Sequence, residues 1–180
     1  MGNRRTTSVK QVISKSISIL ILLLSAISAF SAEISLTDAI NRKLVTVSIA
    51  GNDYSTTGDA GSSYYGGCLL MTIENRSKTL LKIHIEAGLL FSSSDTLEQR
   101  MMLTREEMLT LAPAKKHEQQ LFAMCTQMHH QSPGSDSHFS PGKLAEGNLL
   151  AVARFLSENN YQSQAAQQAV WVVSDNNDPG

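Results

Sequence analysis

Two apolar runs decide the fold: CLLMTI at residues 68–73 and LLKIHI at residues 80–85. Each run is rich in the aliphatic and β-branched residues that strands favour, and polar turn residues at 74–78 separate them. This arrangement predicts a β-hairpin with a short polar connection.

The strand-like pattern extends outward from this hairpin over residues 43–125. Residues 44–49 are rich in β-branched side chains at an alternating spacing, and residues 51–67 are rich in Gly, Ser, Thr, Asp and Tyr, which predicts a long loop. We therefore expect an α+β or mainly β fold built on an immunoglobulin-like β-sandwich. Further short apolar runs suited to such a sandwich lie at residues 89–91, 101–103, 108–111 and 119–125.

The pattern becomes helical over about residues 140–175, where we expect one or two C-terminal helices. Ser140 and Pro141 resemble a cap followed by proline at the first helical position, and apolar residues then recur along one face as far as Asn159. A second helix is predicted after Ser163, with a final strand at residues 169–173 as the alternative.

Two smaller signals complete the structural prediction. Residues 35–42 predict a short lead-in helix, capped by Ser35 or Thr37. The lone Trp171 is expected to anchor on the core while its indole N–H donates to a polar partner.

The first 31 residues read as an export signal. An apolar stretch at residues 17–27 is too short to span a bilayer, and the small residues Ala29 and Ser31 follow it. The sequence therefore predicts a signal peptide over residues 1–31 and one mature domain over residues 32–180, secreted, periplasmic or at the cell surface. The basic residues that precede the apolar stretch are Arg4, Arg5, Lys10 and Lys15.

Charge narrows the range of partners. The whole chain has 15 basic and 16 acidic residues, and removal of the signal leaves 11 basic residues and a net charge of −5. An acidic domain is a poor match for nucleic acid. No second apolar stretch is long enough to span a membrane, so we expect a mature protein that does not cross one.

The two cysteines are the first candidates for chemistry. In an exported chain, Cys68 and Cys125 at the ends of predicted strands predict one structural disulfide.

A different chemistry follows from residues 166–171, AQQAVW. This block resembles the Thr-Gln-x-Ala block of the thioester domains of bacterial surface adhesins. The resemblance implies that Gln167 condenses with the thiol of Cys68 and that the resulting thioester captures host amines.

A larger part of the chain resembles a group of uncharacterised exported bacterial proteins. The segments that carry this resemblance include residues 65–69, 123–129 and 168–175. The resemblance implies a self-contained exported domain whose two cysteines belong together, and it implies no particular activity.

Three histidines form a candidate metal site. His129, His130 and His138 lie close together in the sequence, near Met124 and Met128, a mixture that suits zinc or copper. The alternative is a solvated polar loop, because adjacent residues of a strand point to opposite faces.

No hydrolase elbow, phosphate-binding glycine loop or zinc-protease motif occurs, so we expect a non-catalytic binding domain. Long loops rich in Tyr, Ser, Gly and Asp are typical of contact surfaces on rigid β scaffolds. The expected partner is an extracellular or cell-surface protein or glycan. The predicted contact residues are Asp53, Tyr54, Asp59, Tyr64 and Tyr65.

Overall fold

The computed structural model describes residues 33–52 and 62–175. The signal peptide predicted at residues 1–31 lies outside the described residues. The elements in chain order are β1 (Glu33–Ser35), α1 (Leu36–Asn41), β2 (Val45–Gly51), β3 (Tyr65–Asn75), β4 (Leu81–Ile85), β5 (Leu89–Ser93), β6 (Met101–Leu103), β7 (Glu107–Leu111), β8 (Lys116–Cys125), β9 (His138–Leu144), α2 (Gly147–Glu158) and α3 (Gln164–Ser174).

Six of the strands form a closed barrel in the order β2-β3-β8-β6-β5-β9. The barrel closes where Ile49 and Ala50 of β2 pair with Phe139 and His138 of β9. The other three strands form a separate sheet in the order β1-β4-β7. The prediction of a mainly β, α+β fold with two C-terminal helices is confirmed. In place of the expected immunoglobulin-like sandwich, the described strands form a barrel and a three-stranded sheet.

The predicted hairpin between residues 68–73 and 80–85 is wrong. Both runs are strands, but β3 pairs with β2 and β8 in the barrel, whereas β4 pairs with β1 and β7 in the sheet. The connection therefore carries the chain from one layer to the other. Asn75 begins this connection, because its side-chain oxygen accepts hydrogen bonds from the main chain and hydroxyl of Ser77.

The predicted start of the first long helix is also wrong. Pro141 lies within β9, and α2 starts at Gly147, after Glu146. Proline is tolerated here because β9 pairs with β2 only at residues 138–139, so at Pro141 the strand has one neighbour, β5.

The other helix predictions are confirmed. The side chain of Ser35 accepts a hydrogen bond from the main-chain nitrogen of Asp38 at the start of α1. Ser163 caps α3 in the same way, through the nitrogen of Ala166. The alternative of a final strand at residues 169–173 is wrong, because these residues continue α3.

Strand β6, residues 89–91 of β5 and residues 123–125 of β8 are buried on both faces. Phe91, Met101 and Leu121 point into the main core, whereas Leu90 and Met102 pack in a second cluster with residues of α2 and α3. Successive strand residues face opposite sides, so each strand serves both clusters. None of the described helices has the length and apolar character needed to cross a membrane.

Candidate functional site

The predicted contact loop is only partly described. Asp53, Tyr54 and Asp59 lie outside the described residues. Tyr64 and Tyr65 are half-buried and pack against the two hydrophobic clusters. The Tyr64 ring stacks on Trp171 with centroids 5.8 Å apart, and the Tyr65 ring meets it edge-on at 5.3 Å. These two tyrosines therefore anchor the start of β3 on α3.

Trp171 is the anchor that the sequence predicts, because it packs half-buried against the main core. The prediction that its indole N–H donates to a polar partner is wrong, because the buried Nε1 has no partner among the described residues.

Cys68 and Cys125 are buried free thiols on the neighbouring strands β3 and β8. The structure therefore does not contain the predicted disulfide. The thiol of Cys68 donates to the carbonyl of Ala123 at 3.3 Å, and that of Cys125 contacts the sulfur of Met101 at 3.3 Å. The disulfide stays a prediction for protein exposed to an oxidant.

Burial keeps both thiols protonated. Desolvation raises the pKa of Cys68 from 9.0 to about 12. Desolvation, with a smaller contribution from the nearby Cys68, raises the pKa of Cys125 further. Because the thiolate is the nucleophile, neither cysteine is activated for covalent chemistry.

These shifts predict a loss of stability at alkaline pH in the reduced protein. Because the pKa is higher in the folded state, the unfolded chain releases the proton at a lower pH than the folded protein does. The free energy of unfolding is therefore highest below pH 9 and falls as the pH rises above 9. We expect the free energy of unfolding to fall by roughly 1 kcal/mol per pH unit for each buried thiol. Urea titrations between pH 8 and about pH 11 measure this slope. The slope of Cys68→Ala should be shallower than that of the unchanged protein, and equal slopes would contradict the prediction.

Gln167 is fully buried and binds the main chain of Cys125. Its side-chain oxygen accepts from the Cys125 nitrogen at 3.0 Å, and its side-chain nitrogen donates to the Cys125 carbonyl at 2.8 Å. Both polar atoms of the Gln167 amide thus bond the Cys125 main chain, and the thiol of Cys68 has its own partner at Ala123. The geometry gives Gln167 a structural role, which is to hold α3 against β8.

The three candidate metal ligands do not form a cluster in the part of the chain that the structure describes. His129 and His130 lie exposed after β8, whereas His138 begins β9 and pairs with Ala50 of β2. The described residues thus favour the alternative of a solvated polar segment.

The structure places a groove of about 230 Å³ where the three-stranded sheet meets the barrel, and we call it the His84 groove. The start of α1, strand β4, the turn after it, β5 and β9 all contribute side chains. Sites between packed layers are common places for small ligands. The lining residues are Ser35, Leu36, Thr37, His84, Glu86, Leu89, Gly142, Lys143 and Leu144.

His84 is held on both sides by carboxylates. Its Nε2 lies 2.6 Å from Oε1 of Glu106, and its Nδ1 lies 3.3 Å from Oε1 of Glu33. Ser35 is the strand neighbour of His84, which places a hydroxyl, an imidazole and a carboxylate close together. However, both ring nitrogens face carboxylates, so neither is directed at the Ser35 hydroxyl as a catalytic base would be. The geometry suits a fixed wall of a binding site.

Glu86 supplies a carboxylate without a partner among the described residues. It follows β4 in a tight turn, where its carbonyl accepts from the nitrogen of Leu89 at 3.1 Å and Gly88 adopts φ +91°. His84 lies on the face of β4 that is directed away from the core, and Glu86, one residue after the end of β4, lines the same groove. No ion pair or side-chain hydrogen bond engages the carboxylate in the described part of the chain.

Lys143 brings a positive charge to the same groove from β9. Its ammonium pairs with Glu146 at 3.0 Å, but both side chains are more than three-quarters exposed. Such a surface pair contributes about 0–1 kcal/mol, so a ligand can compete for the ammonium. Three leucines, Leu36, Leu89 and Leu144, also line the groove, and we call them its apolar floor.

The sequence gives only a weak signal for this groove. The β4 pattern predicts that His84 faces away from the core, and the structure confirms this, with 21% of the side chain exposed. The residues that complete the groove come from α1 and β9, far from His84 in the sequence. Only the pairing of β1 with β4 and of β5 with β9 brings them together.

Comparison with known proteins finds no matching family model, no similar curated protein and no similar solved structure.

Proposed function

We propose that the protein is an exported, non-catalytic binding domain whose His84 groove takes a small zwitterion, such as a free amino acid with an aliphatic side chain. The observation that carries the proposal is that an unpartnered carboxylate, Glu86, and an accessible ammonium, Lys143, line one groove together with three leucines.

Each part of such a ligand has a matching group. Its ammonium group meets Glu86, and its carboxylate meets Lys143. The hydroxyls of Ser35 and Thr37, which lie 3.2 Å apart, add hydrogen-bonding capacity at the wall. Charge-assisted hydrogen bonds of this kind are about twice as strong as neutral ones.

The floor sets the preference for the side chain. Leu36 and Leu89 are almost fully buried, so their arrangement is fixed by packing before any ligand arrives. An aliphatic side chain laid on this floor would leave water without requiring a change in the protein. The volume of about 230 Å³ accommodates one amino acid.

The test is isothermal titration calorimetry with L-leucine and two analogues that carry one charge each: isoamylamine, which lacks the carboxylate, and 4-methylvalerate, which lacks the ammonium. We expect L-leucine to bind with a Kd on the order of 0.1–1 mM, which fits a ligand of this size. The other two, each with a single charge, should bind at least tenfold more weakly, since each leaves one charged group of the groove without its partner.

Variants identify the site. Glu86→Gln should weaken L-leucine binding about tenfold, and Lys143→Met should weaken it several-fold because the ammonium is more exposed. Glu118→Gln is the matched control, since Glu118 is an exposed carboxylate of β8 on another part of the barrel. Binding that is equal in Glu86→Gln and Glu118→Gln would contradict the assignment.

Export of the domain rests on the signal peptide that the sequence predicts, and we propose a secreted or periplasmic location on that basis. Cleavage near Ala32 predicts a mature protein that starts just before β1. N-terminal sequencing of the protein recovered outside the cytoplasm tests this, and recovery of full-length chain in the cytoplasm would contradict it. An extracellular or cell-surface protein or glycan remains the predicted macromolecular partner.

A further inference from the structure

We propose that a second groove, at the other end of β5, binds an acidic sugar through Arg100. This groove has a volume of about 230 Å³ and shares no residue with the His84 groove. Ligand binding in this groove is therefore independent of binding in the His84 groove. The residues that line it include Ser92, Asp95, Thr96, Glu98, Arg100 and Gln127.

The main chain of Arg100 is held in place on both sides. Its nitrogen donates to the side-chain oxygen of Gln127 at 2.8 Å, and its carbonyl accepts from the nitrogen and hydroxyl of Thr126 at 2.9 and 3.0 Å. Arg100 lines the groove and is exposed. A cation on a fixed main chain is presented to a ligand with little loss of backbone entropy.

The guanidinium of Arg100 makes no ion pair with any described residue, although two carboxylates line the same groove. Glu98 is used internally: its two oxygens accept from the hydroxyls of Ser93 at 2.5 Å and Ser137 at 2.6 Å. One oxygen of Asp95 accepts from the nitrogen of Leu97 at 2.9 Å. The positive charge of Arg100 is therefore left for a ligand.

This combination selects a ligand that has both a carboxylate and hydroxyl groups. A planar guanidinium matches a carboxylate with two parallel hydrogen bonds. The second oxygen of Asp95 is an acceptor for a sugar hydroxyl, and the side chains of Ser92 and Thr96 add hydroxyl groups to the wall. A neutral sugar lacks the carboxylate, and a simple carboxylate lacks the hydroxyls while meeting the negative charge of Asp95. A uronic acid supplies both features.

The test is an NMR titration of the ¹⁵N-labelled mature protein with sodium glucuronate, glucose and sodium acetate, each at millimolar concentrations and constant ionic strength. We expect glucuronate to shift the amide signals of residues 92–100 and 127. Glucose and acetate should bind at least tenfold more weakly. Arg100→Gln should reduce the affinity for glucuronate at least tenfold, and Arg100→Lys should give an intermediate loss because it keeps the charge without the planar geometry.

Arg154→Gln, which removes an exposed arginine of α2, is the matched control and should bind as the unchanged protein does. An unchanged amide spectrum away from the groove shows that each variant is folded. Equal binding of glucuronate by Arg100→Gln and Arg154→Gln would overturn the proposal, as would the absence of shifts at residues 92–100. Acetate binding as strong as that of glucuronate would overturn the assignment to a sugar. None of these outcomes bears on L-leucine binding in the His84 groove.

Discussion

Replacement of Asn75 by alanine is expected to lower the free energy of unfolding by about 3–4 kcal/mol. Asn75 is fully buried at the end of β3 and uses its whole hydrogen-bonding capacity. Its side-chain nitrogen donates to the carbonyls of Thr79 and Leu111, each at 2.9 Å. Its side-chain oxygen accepts from the nitrogen and hydroxyl of Ser77 at 2.8 and 2.7 Å. Alanine would leave the buried Leu111 carbonyl without this partner.

The effect is large because Leu111 belongs to β7, so this side chain joins the barrel to the three-stranded sheet. Urea unfolding followed by circular dichroism measures the loss. Asn159→Ala is the control, since Asn159 makes a single exposed bond to Phe155 at the end of α2 and should cost less than about 1 kcal/mol. Equal losses for the two variants would show that Asn75 does not join the layers.

The second large effect is expected at Gln167. Gln167→Ala should lower the free energy of unfolding by about 2–3 kcal/mol, because it leaves the buried Cys125 carbonyl without this donor and opens a cavity under α3. Gln167→Glu keeps the shape but places a carboxylate oxygen against that carbonyl, so it should cost at least as much.

The neighbouring residue provides the control for Gln167. Gln168 has the same side chain on the exposed face of the same helix, so Gln168→Ala should change the stability by less than about 0.5 kcal/mol. Both variants are measured by urea unfolding. A similar small effect at both positions would contradict the structural role of Gln167. Loss of ammonia from the intact protein, seen by mass spectrometry, would instead support the thioester that the sequence resemblance implies.

Local sequence patterns predict several strands and helix starts of this fold. An alternating pattern predicts β2, short apolar runs predict β5–β8, and the serines at 35 and 163 predict the starts of two helices. Each of these signals depends on residues that are close in the sequence. The local signal at Ser140 and Pro141 fails because the pairing of β9 with β5 overrides it.

The barrel itself could not be predicted from these patterns. Closure depends on the pairing of β2 with β9, whose residues are almost ninety positions apart. The strands β3 and β4 belong to different sheets, and Asn75, which in the sequence resembles an ordinary turn residue, bonds the Leu111 carbonyl of β7. Both features are set by long-range contacts that leave no local pattern.

The candidate sites also depend on long-range contacts that leave no local pattern in the sequence. Tyr64 and Tyr65 have the composition of a contact loop, yet in the structure Tyr64 stacks on Trp171 and Tyr65 packs edge-on against Tyr64. Glu86 and Lys143 give no motif in the sequence, because they become neighbours only when β9 lies beside β5. Arg100 precedes β6 and Gln127 follows β8, so the pairing of these two strands brings them within hydrogen-bond distance.

The most direct test of the proposed function is an NMR titration of the ¹⁵N-labelled mature protein with L-leucine. The His84 groove predicts saturable shifts in the amide signals of three separate segments that meet only there: residues 35–37, 84–86 and 142–144. The absence of saturable shifts at millimolar L-leucine, or shifts confined to other parts of the barrel, would contradict the account.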